Sequence, residues 1–306
     1  MDNFPIRVLS EKTGVAPTTL RAWERRYGLL KPQRTPKGHR LYDAKDVDAV
    51  NRIVNLLNEN YTISKAITAI KLEEIQEKIE AGTTEASSRE AEPNTDHWVD
   101  FHNRFLNAIE QFDEARLDSI YNEALSLYPI DLVSSQILRP LLKTLGQRWE
   151  ERDAGIAEEH FFTSYLRNKV GARLHHSSGK SNGSRILLAC MPGEFHELGS
   201  LLFGLSAMSR GYRILFLGAD LPLDQIPHVV NSTEIDAVLL SAVNVTLRGQ
   251  LARQLEKLAG ELTIPVMLGG SGNTDIGDLN DELIVLLGDS YRNALQLLEE
   301  TLPAHR

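Results

Sequence analysis

One histidine stands between two glutamates just after an apolar run. The run RILLAC is followed within a few residues by Glu194, His196 and Glu197, and then by Gly199. Imidazole is the commonest side-chain ligand of transition metals, and a neighbouring carboxylate can orient the ring and raise its basicity. The pattern therefore makes His196 a candidate metal ligand with Glu194 beside it. A lone histidine at the start of a helix is also common as a capping or surface residue, so the residues alone leave that alternative open.

Small residues end two later apolar runs. Ser241 and Val243 end AVLLSAV, and Gly269 and Gly270 end IPVMLGG. With RILLAC, YRILFLG and LIVLLGD these make five runs, separated by segments long enough for helices. Continuous apolar runs that alternate with helices are typical of a parallel sheet covered on both faces. We expect a doubly wound, five-stranded α/β sheet, in which ligands bind at the carboxyl ends of the strands.

A second constellation precedes the sheet, in a segment whose apolar residues have helical spacing. Trp149 is separated by nine residues from Glu159 and His160. In one unbroken helix, steps of 100° would bring Trp149 and His160 to within about 20° of the same face. Gly155 is placed to interrupt such a helix. The alternative for Trp149 is an ordinary core position.

The first 71 residues predict a compact helical head. Residues 6–13 favour a short helix, and Pro17 opens a second helix that ends at Gly28. A helix, a tight turn and a second helix match the helix-turn-helix plan, whose second helix enters the major groove of DNA.

A hairpin wing and a basic charge balance belong to the same head. Short extended pieces flank Pro36-Lys37-Gly38, and Asp43 is an N-cap for a helix over 44–58. Residues 1–71 carry 13 Lys and Arg against 7 Asp and Glu, whereas the remainder carries 20 against 35. Because phosphate contacts need cations and an acidic surface repels nucleic acid, we expect only the head to meet DNA.

The stretch TLRAWERRYGLLKPQRTPKGHRLYDAKDVD resembles the winged-helix DNA-binding domain of the MerR family. The resemblance implies binding of double-stranded operator DNA by a dimer or tetramer of the chain. It also implies the contacts, which are Thr18, Thr19, Arg21, Arg25 and Tyr27 on or beside the recognition helix and Arg34, His39 and Arg40 on the wing.

The histidine motif and the small residues resemble the cobalamin-binding fold of methionine synthases and mutases, in which Asp usually stands at the position of Glu194. The resemblance implies that His196 replaces the corrinoid's own lower base on cobalt, and that Glu194 accepts a hydrogen bond beside it. The displaced nucleotide tail would then run over small residues, where a side chain would block close approach. The residues on the tail side are Ser241, Val243, Gly269 and Gly270.

Trp149 and Glu159-His160 resemble the helical-bundle cap of light-sensing MerR regulators of the CarH/LitR type. The resemblance implies that Trp149 packs on the upper axial group, typically 5′-deoxyadenosyl, and that Ile156, Glu159 and His160 belong to the same pocket. In that type a histidine follows the tryptophan and ligates cobalt after photolysis, whereas this chain has Glu150. Either His160 serves instead, or the light chemistry differs, or the protein is a light-independent regulator. MlrA-type regulators share the head but lack the corrinoid motif, which this chain retains.

Length and composition set outer limits. The chain has 306 residues, of which 42% are hydrophobic and 25% charged, which is ordinary for a globular protein. Its one cysteine, Cys190, excludes an intrachain disulfide and a multi-cysteine metal site. No apolar run reaches ~18 residues, so we expect a cytoplasmic protein without membrane contact. The expected domains are a DNA-binding head over 1–71, a linker over 72–97, a four-helix bundle over 98–180 and a cobalamin-binding domain over 181–306.

These observations favour a transcriptional regulator, expected to be a repressor, whose operator binding is controlled by adenosylcobalamin and light through a change of oligomeric state. One alternative keeps the DNA-binding head and makes the carboxy-terminal region a cobalamin-independent module that docks an antirepressor protein. A corrinoid methyltransferase or mutase subunit is the third hypothesis. It is disfavoured because no catalytic segment is left over and the head would be unexplained, so we expect no enzyme activity.

Overall fold

The computed structural model describes residues 3–35, 38–80, 96–149, 152–177, 183–243, 248–270 and 282–302. The chain divides into two compact units, Met1–Phe161 and Phe162–Arg306. The head and the first helices after the expected linker therefore lie in one unit. No helix in the described part of the chain is both long and apolar enough to cross a bilayer.

The head has the elements that its local sequence predicts. Gly14 and Gly28 end the first two helices in the left-handed conformation, with φ of 68° and 61°. Asp43 forms a capping box with Asp46 at the start of the third helix. The elements are α1 Ile6–Thr13, α2 Pro17–Tyr27, the antiparallel strands β1 Gln33–Arg34 and β2 Arg40–Leu41, α3 Ala44–Asn58 and α4 Ile63–Glu80. The expected winged helix-turn-helix is confirmed.

A helical region completes the first unit. Its first helix packs against the second and against the helix that precedes Trp149, burying an apolar face that includes Phe105, Ile109, Leu117 and Leu145. The elements are α5 Asp96–Glu110, α6 Glu114–Leu127, α7 Ile130–Val133, a π-helical segment Ser134–Leu138, α8 Arg139–Gln147 and α9 Gly155–Ser177, in which the unit ends.

The segment from Trp149 to His160 is not one helix. The preceding helix ends at Gln147 and α9 begins at Gly155, so the argument from unbroken helical steps does not apply. A Cβ on Gly155 would lie 2.5 Å from the carbonyl oxygen of Arg148. The backbone of Arg148 therefore approaches Gly155 so closely that only glycine fits at this position.

The second unit contains a five-stranded sheet with strand order β4-β3-β5-β6-β7, parallel throughout. The apolar runs form its strands because both faces are covered, as Leu187, Val238, Leu240 and Leu268 show by their burial. The elements are β3 Arg185–Cys190, α10 Leu198–Ser209, β4 Arg213–Gly218, α11 Ile226–Ser232, β5 Ala237–Ser241, α12 Arg248–Glu261, β6 Val266–Gly269, β7 Ile284–Gly288 and α13 Tyr291–Thr301. This architecture confirms the expected doubly wound fold.

Register brings the candidate residues to one edge of the sheet. Cys190 at the end of β3 pairs with Ser241 at the end of β5, which pairs in turn with Gly269 at the end of β6. The loop that carries His196 leaves the sheet at this same edge, where an open α/β sheet binds ligands.

Candidate functional site

The loop between β3 and α10 carries His196 and is fastened to the loop that follows β4. Gly193, with φ of 78°, donates its backbone N–H to Asp220 Oδ1 at 2.7 Å. The backbone N–H of Asp220 donates to the carbonyl oxygen of Glu194 at 3.0 Å. These reciprocal bonds fix the path of the loop ahead of the histidine. Sequence reasoning did not single out Asp220, although its position two residues after β4 is a signal that could have found it.

Glu194 is buried and binds three donors. Its Oε1 accepts hydrogen bonds from the backbone N–H of His196 at 2.8 Å and from the ring Nδ1 at 2.5 Å. Its Oε2 accepts a bond from the backbone N–H of Val243 at 2.8 Å. When Nδ1–H donates to the carboxylate, the lone pair of a neutral imidazole lies on Nε2. The His196 side chain is 62% exposed, so that nitrogen is available to a ligand.

The two glycines at the end of β6 differ in whether the fold requires glycine at their positions. Gly270 has φ of 106°, and a Cβ there would lie 2.4 Å from the carbonyl oxygen of Ala242, so the protein itself requires glycine. Among the described residues, a Cβ on Gly269 would meet the side chain of Leu287 at 3.9 Å, which is an ordinary van der Waals contact. The fold itself therefore does not require glycine at this position. Ser241, its neighbour in the sheet, is buried.

A second carboxylate in the histidine loop has a different partner. Glu197 forms an ion pair with Arg167 of α9. It does not share in the bonding of His196 that Glu194 provides, so the two glutamates on either side of the histidine have separate roles. Sequence reasoning grouped them and had no signal for Arg167.

Cys190 is a packing residue. It is buried at the end of β3, and burial raises the pKa of its thiol to about 11. The thiol therefore stays protonated at neutral pH and is a poor nucleophile.

The helical-region candidates lie on and after the connection between α8 and α9. Trp149 and Ile156 are large apolar side chains that are about half exposed, at 49% and 52%. Trp149 is therefore not an ordinary core residue in this unit. Glu159 is partly buried and His160 is exposed. Glu150 lies outside the described residues.

Most of the expected DNA contacts are accessible, and Arg40 is already paired. The exposed side chains are Thr18, Arg21, Arg25, Arg34 and His39, and Tyr27 is partly buried. Arg40 Nε lies 3.0 Å from both carboxylate oxygens of Glu24. The wing is therefore tied to the recognition helix by this ion pair, which the sequence did not indicate.

Thr19 is turned away from solvent, which corrects the expectation of an accessible residue. The side chain is 1% exposed, and its hydroxyl donates to the carbonyl oxygen of Leu125 at 2.7 Å. Trp23 Nε1 donates to the carbonyl oxygen of Leu127 at 2.8 Å. Both acceptors belong to the last turn of α6, where helix carbonyls lack intrahelical partners, and the residue four places after Leu125 is Pro129, which has no N–H. One face of the recognition helix thus caps the carboxyl end of α6.

Comparison with known proteins gives two family models. Residues 4–73 match the model for the MerR HTH family regulatory protein, and residues 102–174 match the model for a B12 binding domain. The second match covers the helical region rather than the sheet.

Two relatives align with most of the chain. The HTH-type transcriptional repressor CarH of Myxococcus xanthus is 31% identical over 271 residues, covering 88% of this chain and 89% of the relative. The HTH-type transcriptional repressor CarA of the same organism is 29% identical over 270 residues, covering 87% and 86%. Among solved structures, the Methanosarcina barkeri monomethylamine corrinoid protein superposes with a TM-score of 0.52 at 17% identity, covering 66% of this chain and 99% of that chain. At this identity the superposition shows a shared fold.

Proposed function

The chain belongs to the family of MerR-type, B12-binding transcriptional repressors represented by CarH and CarA, and from this premise we propose that it is an operator-binding repressor regulated by adenosylcobalamin and light. The observation that carries the proposal is the exposed His196 imidazole, oriented by the buried carboxylate of Glu194 at the carboxyl edge of the sheet. We infer that the chain regulates transcription without catalysing a reaction.

His196 is the residue that would bind cobalt from below. The described residues contain no group of three or more His, Cys, Asp or Glu side chains arranged to hold a metal ion. A corrinoid would bring its own ring nitrogens for the metal, so a single imidazole from the protein would fit this cofactor. Glu194 would accept the hydrogen bond from Nδ1–H, which orients the ring and makes Nε2 a stronger metal ligand.

We propose that the nucleotide tail of the cofactor runs over the strand ends. Gly269 has no side chain to obstruct it, and Ser241 lies beside Gly269 in the sheet. The backbone of Gly270 itself lies so close to Ala242 that a Cβ there would clash with its carbonyl oxygen. Val243 donates its N–H to Glu194, so the strand end that borders the tail also supports the carboxylate behind His196.

Trp149, Ile156, Glu159 and His160 would contact the upper axial group. When bound, adenosylcobalamin supplies a cobalt–carbon bond that light can break. The large exposed apolar areas of Trp149 and Ile156 favour contact with an adenosyl group, because surfaces of this kind commonly mark binding sites.

DNA binding would use α2 and the wing, after α2 leaves α6. We propose that α2 enters a major groove only after it separates from α6, which would break the capping bonds that Thr19 and Trp23 donate to the end of α6. We propose that cofactor state and light change the oligomeric state, which changes the number of heads that can engage a two-fold operator together.

The test is an absorption spectrum with a sizing column. The purified chain is mixed with adenosylcobalamin in the dark, freed of excess cofactor, and examined before and after green illumination. We expect a coloured protein with the spectrum of histidine ligation, and a different elution volume after illumination. Binding to a labelled operator duplex, selected by the protein from random sequence, should change with cofactor and light.

Substitution of one histidine separates specific ligation from general binding. His196→Ala should abolish the ligation spectrum, whereas His228→Ala, which removes an exposed histidine of α11 in the same unit, should leave it unchanged. A wild-type protein that stays colourless, with operator binding indifferent to cobalamin, would refute cofactor control. That result would favour the alternative in which the carboxy-terminal region docks an antirepressor protein.

A further inference from the structure

The connection that carries Trp149 is fastened by charges on both sides of the tryptophan. Arg148 Nη1 lies 2.8 Å from Glu110 Oε1 and 3.9 Å from Glu158 Oε2. Arg152 Nη1 lies 3.1 Å from the same oxygen of Glu110, and its Nη2 lies 3.2 Å from Glu158 Oε1. Glu110 belongs to α5 and Glu158 to α9, so the two arginines tie the connection to two different helices.

Glu158 is unusual because it is a carboxylate buried within α9. Its side chain is 1% exposed, and its Oε2 has no hydrogen bond in the described structure. Burial of an ion pair is weak evidence of a stabilising role, because apolar residues of similar volume often serve folding as well or better. A buried carboxylate that faces two arginines does, however, restrict where the side chains of those arginines can lie.

Backbone packing restricts the same segment. A Cβ on Gly155 would lie 2.5 Å from Arg148 O and 3.3 Å from the Cα of Trp149. The backbone N–H of Arg152 donates to Arg148 O at 3.2 Å, and that of Gly155 donates to Arg152 O at 3.0 Å. The main chain is therefore held at Arg148 and at Arg152, while the Trp149 side chain remains half exposed.

We propose that Glu158, acting with Glu110, Arg148 and Arg152, is a positioning residue that holds Trp149 in place before the ligand binds and so determines which upper axial group the protein accepts. We call this set of four the charge clamp. The inference rests on the proposed function for the identity of the ligand, but the holding of Trp149 is a property of the chain alone. A tryptophan that is ordered in advance loses less entropy when a ligand packs on it. A bulky planar group covers more of the ring than a small group does, so its affinity depends more strongly on this ordering.

Tryptophan fluorescence tests the holding of Trp149 without any cofactor. The chain has three tryptophans, of which Trp23 and Trp98 are buried and Trp149 is half exposed. The difference in emission between each protein and its Trp149→Phe form isolates the signal of Trp149. We expect Glu158→Gln to lower the anisotropy of that signal and to raise its quenching by acrylamide.

A matched substitution controls for the loss of any ion pair in the helical region. Glu123→Gln breaks the pair between α6 and Arg104 of α5 and should leave the Trp149 signal unchanged. If Glu158→Gln does not fold, Arg152→Gln removes the more exposed half of the clamp and should produce the same change at smaller amplitude. Unchanged anisotropy and quenching in a folded clamp variant would overturn the positioning role.

Ligand discrimination is tested with adenosylcobalamin and methylcobalamin titrated in the dark. We expect Glu158→Gln to lower the preference for the adenosyl over the methyl form by about fivefold, with little change in affinity for the methyl form. Equal losses for both forms would mean that the clamp serves general structure and would overturn its role in discrimination. If wild-type protein binds neither cobalamin, the proposed function fails, while the fluorescence result still decides whether the clamp holds Trp149.

Discussion

Replacing Thr19 with valine should strengthen operator binding. The change keeps the shape of a buried side chain and removes the hydroxyl that donates to the carbonyl oxygen of Leu125 at 2.7 Å. A hydrogen bond of this kind contributes about 1 kcal/mol. This hydrogen bond forms only while α2 caps α6. Removing it therefore favours the arrangement in which α2 has separated from α6.

The expected gain follows from linkage between release and DNA binding. If the capped arrangement dominates in the free protein, a loss of about 1 kcal/mol raises the released fraction, and with it the operator affinity, by about fivefold. Fluorescence anisotropy of a labelled operator duplex measures the affinity. Hydrogen exchange of the α2 amides without DNA measures the release independently and should become faster.

Thr18 provides the matched control. It precedes Thr19 on the same helix and is exposed, so Thr18→Val has a similar effect on helix propensity but removes an accessible hydroxyl. We expect Thr18→Val to weaken operator binding or leave it unchanged. If Thr19→Val weakens binding as well, Thr19 contacts DNA and the capping of α6 does not compete with the operator.

Three further predictions concern single positions. Gly270→Ala should lower the free energy of unfolding by about 2 kcal/mol or more, because its Cβ would meet Ala242 O at 2.4 Å. Gly269→Ala should unfold like the wild type in thermal melts yet bind cobalamin at least about tenfold more weakly, and equal affinity would refute passage of the nucleotide tail over this residue. Cys190, whose pKa is raised to about 11 by burial, should resist iodoacetamide at pH 8, where only about one thiol in a thousand is ionised, and should react after denaturation; rapid alkylation of the folded protein, measured by mass spectrometry, would contradict its packing role. Arg34→Ala should weaken operator binding and reduce the salt slope by about one, while Arg253→Ala, an exposed arginine of α12, should change neither; identical slopes for both variants would remove the wing from the DNA contacts.

Local sequence signals predicted the elements of both units well. Pro17 and Gly28 bound the recognition helix, and Asp43 caps the next helix, because these residues act on the backbone within one turn. The five apolar runs form five parallel strands, because a strand of a parallel sheet is buried on both faces and is therefore apolar at successive positions. The pairing of Glu194 with His196 is equally local, since the two residues are neighbours in one loop.

Tertiary structure decided what those elements do to one another. The resemblance to the MerR family placed Thr19 among the DNA contacts, and only packing revealed that it bonds to Leu125, 106 residues away. Likewise, the sequence did not single out Glu158, which the tertiary structure buries next to Arg148 and Arg152. The physical reason is the same in both cases. Caps and strand runs follow from interactions within a few residues, whereas the burial of a polar side chain depends on which distant partner the fold brings to it.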